Sequence, residues 1–300
     1  MTRAVHFAAT AIVAGTLVFR KVVAGPILRT EEAVAEAFRA QTQPVLWISL
    51  LAAAISGASW FLLQAASMSG RPFGDTSVLP TVLDDTQFGQ VAEIRFAMAT
   101  LLALYLARAP FTGGDWFAFA AGLGFVASLA WTGHAGSTLG HAGDLHVAAD
   151  ALHLCAAATW IGGLLSLVLF FAAARRTGSP VWISLVREAT GRFSIMGIVS
   201  VAVLSATGVI NAYFLVGSFH ALVVTEYGWL LLLKLGVFAV MLALAATNRL
   251  RLTPRLGSSG EGALRWLARN STIEFALGLA VIAIVGVLGA MHPASHLTGS

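Results

Sequence analysis

The chain has 300 residues, 58% of them hydrophobic and only 11% charged, against about a quarter charged in a soluble domain. So little charge cannot cover a water-facing surface of this size, which makes lipid the solvent for much of the molecule. The net charge of +4 is no nucleic-acid footprint, because the lysines and arginines sit between apolar stretches, and a single cysteine, Cys155, excludes an internal disulfide framework and a Cys-rich metal site.

A membrane-spanning helix needs roughly 20 mostly apolar residues. The first such segment covers about 4–26. It reads as a retained helix, because Arg3 is the only positive charge before it and it runs into Arg20-Lys21 rather than a small-residue cleavage site. The next segments are 44–69, 90–109 (with Glu93 and Arg95 near its start) and 115–133. The fifth, 144–174, is long enough to tilt or protrude, and 191–218, 228–250 and 270–292 follow. Short connections leave no room for a separate soluble domain. The expected fold is therefore all-α, a polytopic integral membrane bundle of about eight helices forming a single domain over 1–300. Gly122, Gly124, Gly162 and Gly163 read as places where helices approach closely.

Orientation follows from where the cations fall. Arg20, Lys21, Arg29 and Arg39 follow the first predicted helix and Arg108 the third. Arg175, Arg176, Arg187 and Arg192 follow the fifth, and Arg249, Arg251, Arg255, Arg265 and Arg269 the seventh. The opposite side holds only Arg3 and Arg71, while Arg95 and Lys234 lie inside helices. Both termini are thus expected outside, which means the periplasm if the source is a Gram-negative bacterium. Asp75, Asp84, Asp85, Glu93, Asp144 and Glu226 fall on or near that outer side, where an acidic rim attracts cations subject to screening by salt.

In this topology His6, His134, His141, His146, His220, His292 and His296 all fall at outer helix ends or in outer loops, with His153 deeper. Met68 and Met291 end helices on the same side, and Met98 lies in the outer half of its helix. Histidine with methionine is a donor set that suits copper, while histidine alone also suits zinc or nickel. His146, Asp150 and His153 stand at i, i+4 and i+7, which puts them on one helical face, and Trp160 continues that face two turns deeper. An acid near the bilayer middle costs about 2.5–3.5 kcal/mol on insertion scales unless it is paired or bound. A bound cation, or a proton held between acid and imidazole, would stabilise it. The expected gathering site is His146, Asp150 and His153 with His134 and His141, joined by His6, Met68 and His292. Lys234, Glu274 and Arg95 read as ion-paired or snorkelling groups, Glu274 also as an inner exit or proton site, and Asn211 and Asn248 as hydrogen-bonders between helices.

The run His141-Ala-Gly-Asp144-Leu-His146, followed by Asp150, His153 and Trp160-Ile-Gly162-Gly163-Leu, resembles the signature of the copper-resistance D family of bacterial inner-membrane proteins. Arg192-Phe193-Ser194, Thr207-Gly208 with Asn211, Thr225 to Gly228, Leu233-Lys234, Asn248 to Pro254, and Arg269 with Glu274 are similar to that family's later helices. The resemblance implies a periplasm-facing copper site, inward copper movement and a separate CopC-like periplasmic donor. Two other readings stay open on the residues alone. One is a membrane oxidoreductase holding haem b through axial histidines, without a Cys-x-x-Cys-His for covalent attachment. The other is a copper-delivery protein that does not transport.

Overall fold

A computed structural model of the chain describes residues 1–108, 116–138, 140–257 and 260–297, with backbone only at 257, 260, 261, 296 and 297. All regular structure among these residues is helical. In chain order the helices are α1 (Thr2–Phe19), α2 (Glu32–Ser69), α3 (Leu79–Asp85), α4 (Gln87–Arg108), α5 (Trp116–Ala127), α6 (Gly140–Thr177), α7 (Pro180–Val216), α8 (Phe219–Val224), α9 (Glu226–Thr247), α10 (Gly260–Leu288) and α11 (Ala294–Leu297). α1 runs on through a π turn, Arg20–Ala24, to Gly25–Ile27, and α9 through a π turn at Asn248–Leu252. Seven of the described helices are long and apolar enough to cross a membrane, and Trp116–Thr132 is a shorter apolar one. The expected all-α polytopic bundle is therefore the fold. Residues 109 and 115, where two predicted helices end and begin, lie outside the described residues.

The bundle is organised around α1, whose spanning window is 72% buried, whereas that of α9 is 6% buried and presents Leu233, Leu235 and Val240 outward. α1 packs against α2, α5, α6 and α10, and α6 also packs against α7. Two apolar cores result. One joins α1, α2, α4 and α5 through Val13, Leu17, Leu46, Leu50, Leu102 and Phe125. The other joins α1, α6, α7, α9 and α10 through residues such as Phe19, Phe170, Phe193, Met241 and Leu267. The α1–α6 contact depends on glycine: a Cβ on Gly15 would lie 2.2 Å from the Ala158 carbonyl, and one on Gly162 would lie 2.4 Å from that of Ala11. Those neighbours are backbone and cannot step aside, which supports the close-approach reading of Gly162.

α2 begins twelve residues before the predicted start at 44, because the helix continues through Pro44. A proline inside a spanning helix is tolerated where neighbouring groups satisfy the freed backbone. The added turns have a use: Thr42 and Gln43 accept hydrogen bonds from the buried Arg20 guanidinium, and Gln43 Nε2 donates to the Leu106 carbonyl at 3.1 Å. This ties the arginine-rich ends of α1, α2 and α4 together. At the other end, Asp75 Oδ1 accepts from the Ser77 hydroxyl (2.6 Å) and amide (3.0 Å), which hold its carboxyl below the usual range and keep one member of the predicted acidic rim ionised.

Candidate metal site

A cavity of about 200 Å³ opens among α1, α6, α7, α9 and α10 at the end of the bundle where the histidines gather. His134, His146, Asp150 and His153 line it together with Asn211 and Lys234. The helical face expected from the i, i+4, i+7 spacing therefore exists and looks into one space. The start of α6 is shaped by glycine. Gly140 has φ +69°, a left-handed conformation that glycine adopts without steric cost. A Cβ on Gly143 would lie 2.0 Å from the Thr138 carbonyl, so only glycine lets the preceding turn fold back against the helix. That fold-back brings the Thr138 hydroxyl to 2.9 Å from His146 Nδ1.

The hydroxyl partners fix which imidazole nitrogen can bind a metal. Thr207 Oγ1–H donates to the Val203 carbonyl at 2.6 Å, so its oxygen must accept from His153 Nδ1–H at 2.9 Å. His153 is thereby left with its lone pair on Nε2. Thr138, whose hydroxyl also lies 3.4 Å from the His134 carbonyl, is compatible with the same tautomer in His146. A metal-ligating histidine characteristically donates its other ring N–H to such a partner. The His146 ring is 2% exposed and stacks on Phe214 at 4.6 Å and 12° between planes, which holds its orientation.

Asp150 is not isolated. Asn211 Nδ2 donates to Asp150 Oδ1 at 3.1 Å, and Lys234 interacts with the carboxylate electrostatically across the cavity, with no direct ion pair between them among the described residues. Lys234 of α9 is thus a partial counter-charge for Asp150, which the spacing along α6 alone does not reveal. Asn211 Oδ1 is buried with no hydrogen-bond partner among the described residues. Trp160 stands where this cavity gives way along α6 to a second one, packed edge-on against Phe238 at 5.9 Å.

The other expected site residues divide. His134 shares the cavity with the α6 face. His6 does not reach it: Nδ1 donates to the Ala53 carbonyl at 2.9 Å and Nε2 accepts from Arg95 Nη2 at 2.7 Å, so its lone pair is spent on the guanidinium. Arg95 also donates to the Phe125 carbonyl and Ser128, which makes His6–Arg95 a structural lock between α1, α4 and α5. His141 is fully exposed beside Asp144, 3.7 Å away, and His220 and His292 are exposed too. Met68 is 49% exposed, Met291 packs in a small apolar cluster with Val216 and Leu288, and the His296 side chain lies outside the described residues. Among the described residues no three His, Cys, Asp or Glu side chains converge closely enough to hold a metal ion. The convergence expected of His6, Met68, His134 and Met291-His292 is thus realised by His134 alone.

Thr138, Thr207 and Lys234 were not recognised as parts of the site from sequence. Lys234 carried a usable signal: it lies eight residues into α9 and Asp150 a similar distance into α6, so an intramembrane cation and acid stand at matching depth. The two threonines carried none, because a hydroxyl inside an apolar helix most often bonds to its own backbone.

Residues 1–144 match the family described as Copper resistance protein D-like, N-terminal domain, and residues 187–288 the family described as Copper resistance protein D. The chain belongs to the copper-resistance D family. Copper resistance protein D of Pseudomonas syringae pv. tomato is 29% identical over 83% of the chain and 79% of its own length. Copper transport protein CutJ of Bacillus subtilis (strain 168) is 28% identical over 95% of the chain. Inner membrane protein YebZ of Escherichia coli (strain K12) is 33% identical over 55% of the chain. The chain covers 55% of the Escherichia coli protein and 51% of the Bacillus protein. No solved structure matches it. Of the copper-resistance D features, Asn211, Lys234 and Glu274 lie inside the second matched segment, while His146, Asp150 and His153 fall between the two segments.

Proposed function

We propose that this copper-resistance D protein resides in a bacterial inner membrane, accepts copper from the periplasmic side and moves it inward. The carrying observation is the outer cavity, where His153 presents an Nε2 lone pair fixed by Thr207 and His146, bonded to Thr138 through Nδ1, stands with it beside Asp150 and the Asn211 oxygen, which has no hydrogen-bond partner among the described residues. His134, His146, Asp150 and His153 are the copper-holding residues in this reading, and the ion would have to draw them closer than the arrangement described, in which no three converge. The exposed His141 and Asp144 stand at the start of α6, where a CopC-like donor would release the ion. Haem b is disfavoured by size, since pockets that hold drug-sized ligands occupy about 300–1,000 Å³ and this cavity is about 200 Å³.

The test is a copper titration of the purified protein with its absorption spectrum, followed by uptake into proteoliposomes. One copper per chain and no Soret band are expected, with copper accumulating inside. A Soret band would replace copper with haem, and binding without uptake would make the protein a delivery factor.

Orientation rests on the arginine asymmetry and on the cavity, which collects Arg3, His134, Asn211 and Tyr227 from helix ends that all meet at one end of the bundle. In a Cys155→Ala background, a cysteine at Ser137 is expected to react with a membrane-impermeant thiol reagent from the periplasmic side, and one at Thr177 only after the membrane is opened. The reverse pattern would turn the cavity toward the cytoplasm and end the proposal of periplasmic loading.

A further inference from the structure

At the arginine-rich end, opposite the histidine cavity, a second cavity of about 410 Å³ lies among α6, α7, α9 and α10. Its walls are mostly apolar, with Trp160 at the end nearer the first cavity, yet it contains the carboxyl group of Glu274, which is 2% exposed. Glu274 sits in the middle of α10, a spanning helix. An acid at such a position is costly in its charged form unless it is paired. Its hydrogen-bond partner is a neutral amide: Asn248 Nδ2 donates to Glu274 Oε1 at 2.5 Å. Asn248 is itself aligned by Asn270, whose Nδ2 donates to Asn248 Oδ1 at 2.9 Å. The two amides point in one direction, and they commit Oε1 to accepting.

Among the described residues no ion pair to this carboxylate is formed. Arg249, the one other charged residue lining the cavity, is occupied with Ser194 Oγ at 2.6 Å on the exposed side. α6 and α7 contribute no titratable group to the lining. Arg20, at the end of α1, is directed to Thr42 and Gln43 on α2. Asn248, which opens the π turn Asn248–Leu252, is buried, whereas its neighbour Arg249 is exposed. π turns inserted in α-helices occur frequently at functional sites.

We infer that Glu274 is a proton-binding site, in which Oε2 takes up and releases one proton through the second cavity while Asn248 and Asn270 hold Oε1. The protonated acid satisfies the buried site without a counter-ion, and the cavity supplies room for the water through which the proton leaves. This is separate from copper loading: none of the proposed copper-holding residues lines the second cavity.

The purified full-length protein is treated with dicyclohexylcarbodiimide, a hydrophobic reagent that adds to protonated carboxyl groups, and the adduct is located by mass spectrometry. Infrared spectra of the same samples report the C=O stretch of a protonated carboxyl. Labelling at Glu274 that declines as pH rises is expected, with a carboxyl band that disappears in Glu274→Gln. Copper binding by Glu274→Gln at the outer cavity should be unchanged, so failure here and failure of the copper reading are distinguishable. Absence of both adduct and band would overturn the inference by making Glu274 a permanently ionised group. Protection of Glu274 by sodium or by copper at constant pH would also overturn it, by making the site a metal-ion site.

Discussion

His153→Ala and His146→Ala are each expected to reduce copper binding below detection, while His6→Ala leaves it intact and lowers stability instead. The contrast comes from where each lone pair goes. His153 spends Nδ1 on Thr207 and keeps Nε2, and His146 is bonded to Thr138 through Nδ1, whereas both nitrogens of His6 are used inside the protein. Removing His6 leaves the buried Arg95 guanidinium without one acceptor, at a cost of about 1–3 kcal/mol. The threonine offers a finer test. Thr207→Val keeps the shape of the residue but removes the group that fixes the His153 tautomer, and loss of such a partner typically weakens metal affinity about 10–100-fold. Copper stoichiometry and affinity are measured by competition with a chromophoric chelator, and stability by thermal unfolding in detergent. Normal copper binding in His153→Ala would remove the deepest residue of the proposed site. Loss of binding in His6→Ala without loss of stability would mean that His6 is a ligand despite its hydrogen bonds.

Lys234→Leu is expected to tighten copper binding by about 10–100-fold. Lys234 lines the same cavity as Asp150, and the two interact across it. A cation entering beside Asp150 therefore meets a resident positive charge. At an effective dielectric constant near 20, two unit charges about 6 Å apart interact by roughly 3 kcal/mol, enough for such a change. Leucine keeps an apolar stem without the charge and adds no copper donor, and Lys234→Arg serves as the control that retains the charge. The resident lysine also gives a reason for the site to release its ion, since it competes with copper for Asp150. Weaker or unchanged affinity in Lys234→Leu would show that the Asp150–Lys234 interaction is purely structural and that copper does not sit beside Asp150.

The sequence by itself determined the class of fold and the face that carries the site. Runs of about 20 apolar residues can satisfy their backbone in lipid only as helices, so the bundle followed from composition and spacing. Helical periodicity likewise put His146, Asp150 and His153 on one face before any neighbour was known. What periodicity cannot supply is the partner across the gap. Whether a histidine keeps a lone pair depends on atoms from other helices: Thr207 of α7 leaves His153 with one, and Arg95 of α4 takes it from His6. By sequence His6 ends a helix on the outer side and His153 lies deeper in another, and neither position says where its lone pair goes. The same holds for the acids. Asp150 lies under the electrostatic influence of Lys234 from α9, and Glu274 is met by the amide of Asn248 from the end of that helix, interactions that join residues 84 and 26 positions apart. Packing of α6, α7, α9 and α10 against one another selected those pairs, and with them decided which cavity each polar group faces.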